Sequence, residues 1–444
     1  MIVFTEFWGT GLFRVSAEGG EVSPLTTLNT AEHEGVHLWP HFLPDGRHFL
    51  FLVRCTQPES SFIWVGALDS KETRRRLIQA DALVGWLDLD QVLFARGGAL
   101  YVQTFDAKQL AFAGAPRMVT DSVAYISQDS EAKATCSRNG ILAYKADPYS
   151  PRQLTWLDRT GQPAGPLGPP MMLRFFRLSP DEQSVAVAKF DRRAGTWNLW
   201  QVGAATGTED RLTFLRNAQM AVWSPDGSEI IYDSDEFTMF NLYRRRADRT
   251  TPEQPIYRTA TDDKRPSDWS SDGRHVLFQQ VTEKNGWDIW LISLDDPSHP
   301  QPLIRTEADE KNASFSPDAR WIAYNSEESG RAQVYVQPFP KGGSRVLVSR
   351  DGGEMPVWNP NGKELFFLDP ERTLMSVEIK TDDSGVIKLG VPKALFRRPA
   401  NVKSPIEGYD VSRDGQRFLF ALDAPSPGFE NITVLLNWLG EAKR

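Results

Sequence analysis

One short signature returns along the whole chain: a hydrophobic residue, a small polar residue, Pro, Asp, Gly, and then a hydrophobic strand. Clear copies are "FLPDGRHFLFL" from Phe42, "LSPDEQSVAVA" from Leu178, "WSPDGSEIIYD" from Trp223, "WSSDGRHVLFQ" from Trp269, "FSPDARWIAYN" from Phe315, "WNPNGKELFFL" from Trp358 and "VSRDGQRFLFA" from Val411. A weaker copy, "CSRNGILAYKA", begins at Cys136, and the most degenerate, "WLDLDQVLFAR", at Trp86. With the third turn position as anchor, the series runs Asp45, Leu89, Asn139, Asp181, Asp226, Asp272, Asp318, Asn361 and Asp414, at spacings of 42 to 53 residues. A period of this size calls for a repeat architecture, in which each unit is one supersecondary element stacked on its neighbours.

Each repeat has the same internal grammar. Three residues before the anchor stand Phe42, Leu178, Trp223, Trp269, Phe315 and Trp358; five before it stand Pro40, Phe176, Ala221, Ser267, Ala313 and Pro356. That alternation suits a strand with one buried face. Pro-Asp-Gly then makes a tight turn, because Pro presets φ, Asp bonds its own backbone and Gly accepts positive φ. The next strand is apolar at nearly every residue, as in Ile230-Ile231-Tyr232 or Val276-Leu277-Phe278, which reads as burial on both faces. A third strand ends on an aromatic 17 to 19 residues after the anchor, at Trp64, Trp200, Tyr243, Trp290 and Tyr335, and a short polar-edged fourth segment follows. Four short antiparallel strands per period, with no long amphipathic helix, predict an all-β chain, a β-propeller of four-stranded antiparallel blades.

At the Ser-Pro-Asp-Gly turns and the "NLW", "DIW" third strands the chain resembles the TolB-type, WD-like propeller repeats of bacteria. The nearest likeness is to the propeller regions that follow serine/threonine kinase domains in acidobacterial-type receptor kinases, in stretches such as "GLFRVSAEGGE", "WPHFLPDGRHFLFLVR", "QLTWLDRTGQ" and "ITVLLNWLGEAKR". The resemblance implies a non-catalytic interaction or ligand-sensing module, fused or adjacent to a kinase in relatives, with a protein or a small molecule as partner. It also allows a periplasmic or extracytoplasmic location. No kinase motif and no Gly-x-Ser-x-Gly elbow occurs in the chain. The anchors predict one propeller over residues 1–444, with eight blades favoured and seven to nine compatible, closed by joining 1–30 to 405–444; two smaller rings are the alternative.

Seven residues before the anchors the chain reads Leu38, Arg174, Gln219, Arg265, Lys311, Glu354 and Glu407. A repeat that keeps its core while varying this mostly polar ring suits a binding surface at a channel mouth, so Arg174, Gln219, Arg265, Lys311, Glu354 and Glu407 are the candidate ligand contacts. A rival signal is a literal H-E-x-x-H, His33-Glu34-Gly35-Val36-His37, followed by His41. On a helix this spacing puts two imidazoles on Zn²⁺ with Glu as base. Here Gly35, Pro40 and the turn at Pro44 oppose a helix, and on a strand His37 and His41 stand about 13 Å apart. No metal, cofactor or catalytic residue is therefore assigned. A propeller lyase or hydrolase, or the accessory propeller of a prolyl-oligopeptidase-like peptidase, is the alternative, and it requires clustered carboxylates or a metal in the central funnel.

Composition narrows the partners. Fifty Lys and Arg against 58 Asp and Glu give a net charge of −8, with no basic block longer than three residues, which disfavours nucleic acid. Two cysteines cannot make a disulfide framework, and no apolar run approaches the roughly 18 residues of a membrane span.

Overall fold

The apolar triplets after each turn are the most deeply buried strands of the molecule: Ile230, Ile231 and Tyr232, Val276, Leu277 and Phe278, and Leu365, Phe366 and Phe367 are at most 2% exposed. The structure, a computed structural model, describes all residues except 7–8, 56–59, 70–73, 88–89, 127–129, 138–139, 147–148, 215–216, 236–238, 283–285, 382–385, 400–407, 425–431, 437 and 439–444. Among the described residues it is built of antiparallel strands, and its helical element is the single turn Thr30–Glu32.

The turn chemistry explains the signature. In Ser179/Asp181, Ser224/Asp226, Ser270/Asp272 and Ser316/Asp318 the Ser hydroxyl donates to the Asp carboxylate at 2.6 Å. The same hydroxyl accepts the N–H that opens the next strand, as Ser224 does from Glu229 at 2.9 Å. The Asp carboxylate also accepts a backbone N–H two residues on, for example from Ser228 at 3.0 Å. Ser and Asp thus satisfy the turn's backbone before any strand pairs. The residue after Asp sits at positive φ, as Gly227 (71°) and Gly273 (75°) show, and Glu182 (59°) and Ala319 (53°) hold the same conformation where Gly is missing.

The chain divides into two compact units. The second, Pro151–Lys189 with Trp197–Pro425, consists among its described residues of six successive sheets. The first has strands Leu173–Leu178, Ser184–Asp191, Thr196–Gly203 and Glu209–Arg211; the second Ala218–Trp223, Glu229–Ser234, Asn241–Arg246 and Gln254–Tyr257. The third has Lys264–Trp269, His275–Thr282, Gly286–Ser293 and Asp296–Ile304; the fourth Glu310–Phe315, Trp321–Ser326, Gln333–Pro338 and Val346–Leu347. The fifth runs Glu354–Trp358, Glu364–Leu368 and Thr373–Thr381, the last pairing with both Ile387–Leu389 and Lys393–Arg397. The sixth is composite: Asp410–Val411 and Arg417–Asp423 pair with Arg152–Asp158 and Pro163–Met171. Its Leu154 and Leu419 pack with Leu173 and Val185 of the first sheet, and its Tyr409, Phe418 and Phe420 with Phe366 and Leu368 of the fifth. The six sheets therefore close on themselves as a propeller.

The first unit, Met1–Ser150 with Phe190–Thr196 and Ser426–Arg444, holds two four-stranded sheets among its described residues, beginning at Glu34–Phe42 and Ala82–Leu87. It also holds a three-stranded sheet starting at Ile2–Thr5, a two-stranded pair starting at Tyr125–Ile126, and the sheet Ala134–Cys136, Ile141–Lys145, Ile432–Leu436. The nine anchors thus fall six and three between the two units. The expected pairing of 1–30 with 405–444 is not among the strand pairings of the described residues. Arg417–Asp423 takes Arg152–Asp158, and Ile432–Leu436 takes Ile141–Lys145. The physical reason is that turn motifs fix each hairpin but carry no information about which distant strand an end strand will take.

Candidate functional site

The innermost strands of all six sheets of the second unit line one cavity of about 760 Å³. In five of these strands the ladder to the second strand slips, between Leu173 and Phe176, Ala218 and Ala221, Pro266 and Asp268, Lys311 and Ser314, and Glu354 and Val357. Each slip is a bulge, which inserts a residue, bends the strand and re-aims its side chains. Asn312 (φ 56°) and Met355 (φ 55°) sit at the bulge in the left-handed region. A bulge also strands backbone N–H groups, and buried second-strand side chains collect them. Asp233 accepts from Gln219 and Met220 at 2.9 and 2.7 Å, and Gln279 accepts from Asn312 at 3.1 Å.

The re-aiming decides which predicted residues face the cavity. Arg174 lines it, beside Phe175. Met220, Pro266, Asn312, Met355 and Gly408, each one residue later in its repeat, take the equivalent places in the other five walls. Gln219, Arg265, Lys311 and Glu354 are not among the lining residues. Gln219 is buried, Arg265 stacks over Trp287, Lys311 pairs with Asp309 at 2.5 Å and Glu354 pairs with Arg372. Glu407 lies outside the described residues. Strict strand alternation cannot anticipate an inserted residue, and this moves the lining by one position.

The cavity is also lined by three charged residues that repeat spacing did not single out: Arg177, Asp268 and Asp410, each four residues before its anchor. Arg177 reaches the Ser267 carbonyl, two sheets away, at 3.2 Å. Asp410 accepts from Val411 at 3.0 Å and from Leu178 of the next sheet at 2.8 Å. Asp268 repeats this, accepting from Trp269 at 2.9 Å and from Phe315 of the next sheet at 2.8 Å. Both carboxylates therefore clasp adjacent inner strands. Burial pushes Asp268 up to about 6 and raises Asp410, with Arg177 pulling both the other way. The signal that could have found them is a charge at the one inner-strand position where other repeats place Val222, Ser314 and Val357.

The H-E-x-x-H segment lies in the first unit, on the strand Glu34–Phe42. His33 caps the preceding turn in the left-handed conformation, at φ 60°. Glu34 and His37 are buried and bonded to one another at 3.2 Å; His37 Nδ1 lies 2.7 Å from the Thr26 hydroxyl, and Glu34 also pairs with Arg74. Despite the cost of burial, the bonds from His37, Arg74 and the Asn29 N–H hold Glu34 down at about 2. This is a structural polar network. Glu34→Ala should cost about 3 kcal/mol, because it leaves Arg74 and His37 uncompensated, whereas His33→Ala should change stability by less than about 0.5 kcal/mol. Urea unfolding of the two variants checks the contrast, and equal losses would defeat it.

No known family model matches the chain. It is 28% identical over 154 residues to the Tol-Pal system protein TolB of Ruthia magnifica subsp. Calyptogena magnifica, covering 34% of this chain and 35% of that protein. The repeats are TolB-like. A second relative, the uncharacterized protein Atu1656 of Agrobacterium fabrum, is 26% identical over 161 residues, covering 34% of this chain and 52% of its own. The chain thus spans about a third and about a half of these relatives' lengths. A solved structure assigned to TolB from Agrobacterium tumefaciens covers 62% of this chain and 99% of its own at 18% identity and a TM-score of 0.48. No helix of the described TolB-like chain is long and apolar enough to cross a membrane.

Proposed function

We propose that this TolB-like protein is a non-catalytic binding module whose second-unit cavity receives a protein segment or a small molecule, serving as the sensor part of a signalling protein. The observation that carries this reading is the cavity wall: Met220, Met355, Phe176 and Tyr409 offer adaptable apolar surface, while Arg174 and Asn312 supply polar contacts that orient a ligand. Support for a protein partner comes from the relative named as a component of the Tol-Pal system. The likeness of the repeats to kinase-linked propellers supports the sensing role.

The test is a screen of peptides and metabolites by thermal shift, repeated on Ala221→Trp. Ala221 lines the cavity from the second sheet, so an indole there takes up space that a ligand would use. Ligands of the cavity should lose at least tenfold in affinity, about 1.4 kcal/mol, while the variant keeps its β-sheet circular dichroism. Ligands that bind the variant equally well would show that the cavity is not the site.

The buried carboxylates favour a second reading, an acid–base enzyme using Asp268 and Asp410, since a carboxylate held near 6 in a cleft suits proton transfer. Every oxygen of the pair already accepts a backbone N–H, one from its own strand and one from the next sheet, so the clasp explains them without chemistry. Turnover lost in Asp268→Asn with ligand binding retained would restore the enzyme.

A further inference from the structure

The seams between neighbouring sheets carry a repeated niche, and two copies of it have opposite charge. Between the second and third sheets it is formed by Asn241, Thr259 and Lys264. Lys264 is fully buried, and its ammonium donates to Asn241 Oδ1 at 3.2 Å, to the Asp262 carbonyl at 2.5 Å and to the Thr259 hydroxyl. Asn241 Oδ1 also accepts the Thr259 N–H at 2.8 Å. This niche is a set of oxygens around a tethered cation.

Aligned on Asp272 and Asp318, the next seam places Glu310 where Lys264 stands. Asp288, two residues before the aromatic Trp290, takes the place of Asn241 before Tyr243, and Thr306 follows Arg305 as Thr259 follows Arg258. The cation is thereby replaced by two carboxylates. Glu310 is fully buried and accepts from the Thr306 hydroxyl at 2.6 Å, the Ser326 hydroxyl at 3.0 Å and the Thr306 N–H at 3.1 Å. Asp288 is also fully buried, yet neither of its oxygens receives a hydrogen bond. The Arg305 Nε lies 3.5 Å from Asp288 Oδ2, beyond good hydrogen-bond range. A buried carboxylate without donors is costly enough to need an explanation. Burial, joined by the charges of Glu310 and Asp309, pushes Asp288 up to about 6, while Arg305, its ion-pair partner, pulls the other way.

We propose that the seam between the third and fourth sheets binds one small hard cation, held by Asp288 and Glu310 with the Thr306 and Ser326 hydroxyls around them. The ligand class follows from the donors, which are all oxygen, anionic or hydroxyl, and so suit Ca²⁺, Mg²⁺, Na⁺ or K⁺ over soft metals. Among the described residues no three His, Cys, Asp or Glu side chains form a group that could hold a metal ion, so the proposed site rests on two carboxylates and the hydroxyls beside them. The neighbouring seam shows that the fold accepts a positive centre at this place, because there the chain supplies its own. A proton on Asp288 alone would leave its second oxygen without a donor and Glu310 charged beside it. The inference is independent of what the cavity binds.

The full chain, stripped with chelator and exchanged into choline chloride, is titrated with each of the four cations by calorimetry and by thermal melting at constant ionic strength. One cation should bind at one per chain and, at a hundredfold excess over its Kd, raise the melting temperature by roughly 5 °C or more. Asp288→Asn, which copies Asn241, should abolish that rise. Glu310→Lys, which copies Lys264, should install the tethered ammonium and melt at a temperature that no cation changes. Absence of saturable binding to the wild type, or the same rise in Asp288→Asn or Glu310→Lys, would overturn the proposal. Stabilisation by acid through pH 6 with no cation response would show that the niche takes a proton instead.

Discussion

Asp410→Val should lower the stability of the second unit by about 3 kcal/mol and its melting temperature by roughly 6 to 12 °C. The substitution is nearly isosteric, so packing changes little. What disappears is the carboxylate that accepts Val411 N–H in its own strand and Leu178 N–H in the first sheet. Both amides then stay buried without acceptors, at roughly 1–3 kcal/mol each. Part of that loss is returned, since burial already raises the Asp410 carboxyl and disfavours its charge. Asp410→Asn, which keeps an acceptor oxygen, should lose less than half as much. The position also tests ring closure. Asp410 belongs to the composite sheet, so hydrogen exchange should quicken first along Arg152–Asp158, the strand beside Arg417–Asp423. Asp268→Val breaks the same geometry between two ordinary sheets and should cost as much without that local opening. Uniform exchange in both variants would mean that the clasp at Asp410 has no special part in closure.

The second unit should be more stable at pH 5 than at pH 7.5, by roughly 5 °C in melting temperature. Burial pushes Asp233 and Asp268 up to about 6 and raises Asp410. In the unfolded chain these groups titrate near their ordinary value of 3.8. Between those values the folded form holds more protons, so stability falls as pH rises from about 4 to about 6 and stays low above it. The opposite sign applies to Glu34, held at about 2, and to His37 and His41, which burial keeps neutral. Their contributions are full above the unfolded values and are lost as pH falls, from about 6.5 for the histidines and below 4.5 for Glu34. Because these three lie in the first unit, the measurement must be local. Hydrogen exchange followed by mass spectrometry over Glu229–Ser234 reads the second unit alone. Faster exchange at pH 5, after correction for the intrinsic rate, would contradict the prediction. Asp233→Asn and Asp268→Asn should each flatten the profile.

How much of this was legible in the sequence depends on the range of the interaction involved. The Ser-Pro-Asp-Gly turn is local: Ser224, Asp226 and Gly227 satisfy one another within a few residues, so the motif announced both the hairpin and its repetition. The third-strand aromatics were equally readable, and they stack under nearby cations, as Trp64 does under Arg74 at 4.5 Å. Closure was not readable, because nothing in "QLTWLDR" says that its strand waits for "RFLFALD". The candidate site was half visible. Variation before the first strand pointed to the end of each repeat that lines the cavity, where Arg174 lies. The bulge then shifted the other lining residues by one, and no residue type marks it: Asn312 suits positive φ but Met355 does not. Asp268 and Asp410 were passed over because their role lies in a neighbouring sheet's backbone, which periodicity does not see.

The composite sheet also sets a schedule for the newborn chain. Asp158 and its partner Arg417 are roughly 260 residues apart, and at about 5–20 residues per second translation needs roughly 13–50 s to deliver the second after the first. Through that interval the strand Arg152–Asp158 can hold only Pro163–Met171, and its other edge stays open while five sheets assemble beside it. An unpaired edge of this kind invites other chains. Growth conditions that slow elongation should therefore increase aggregation of this protein.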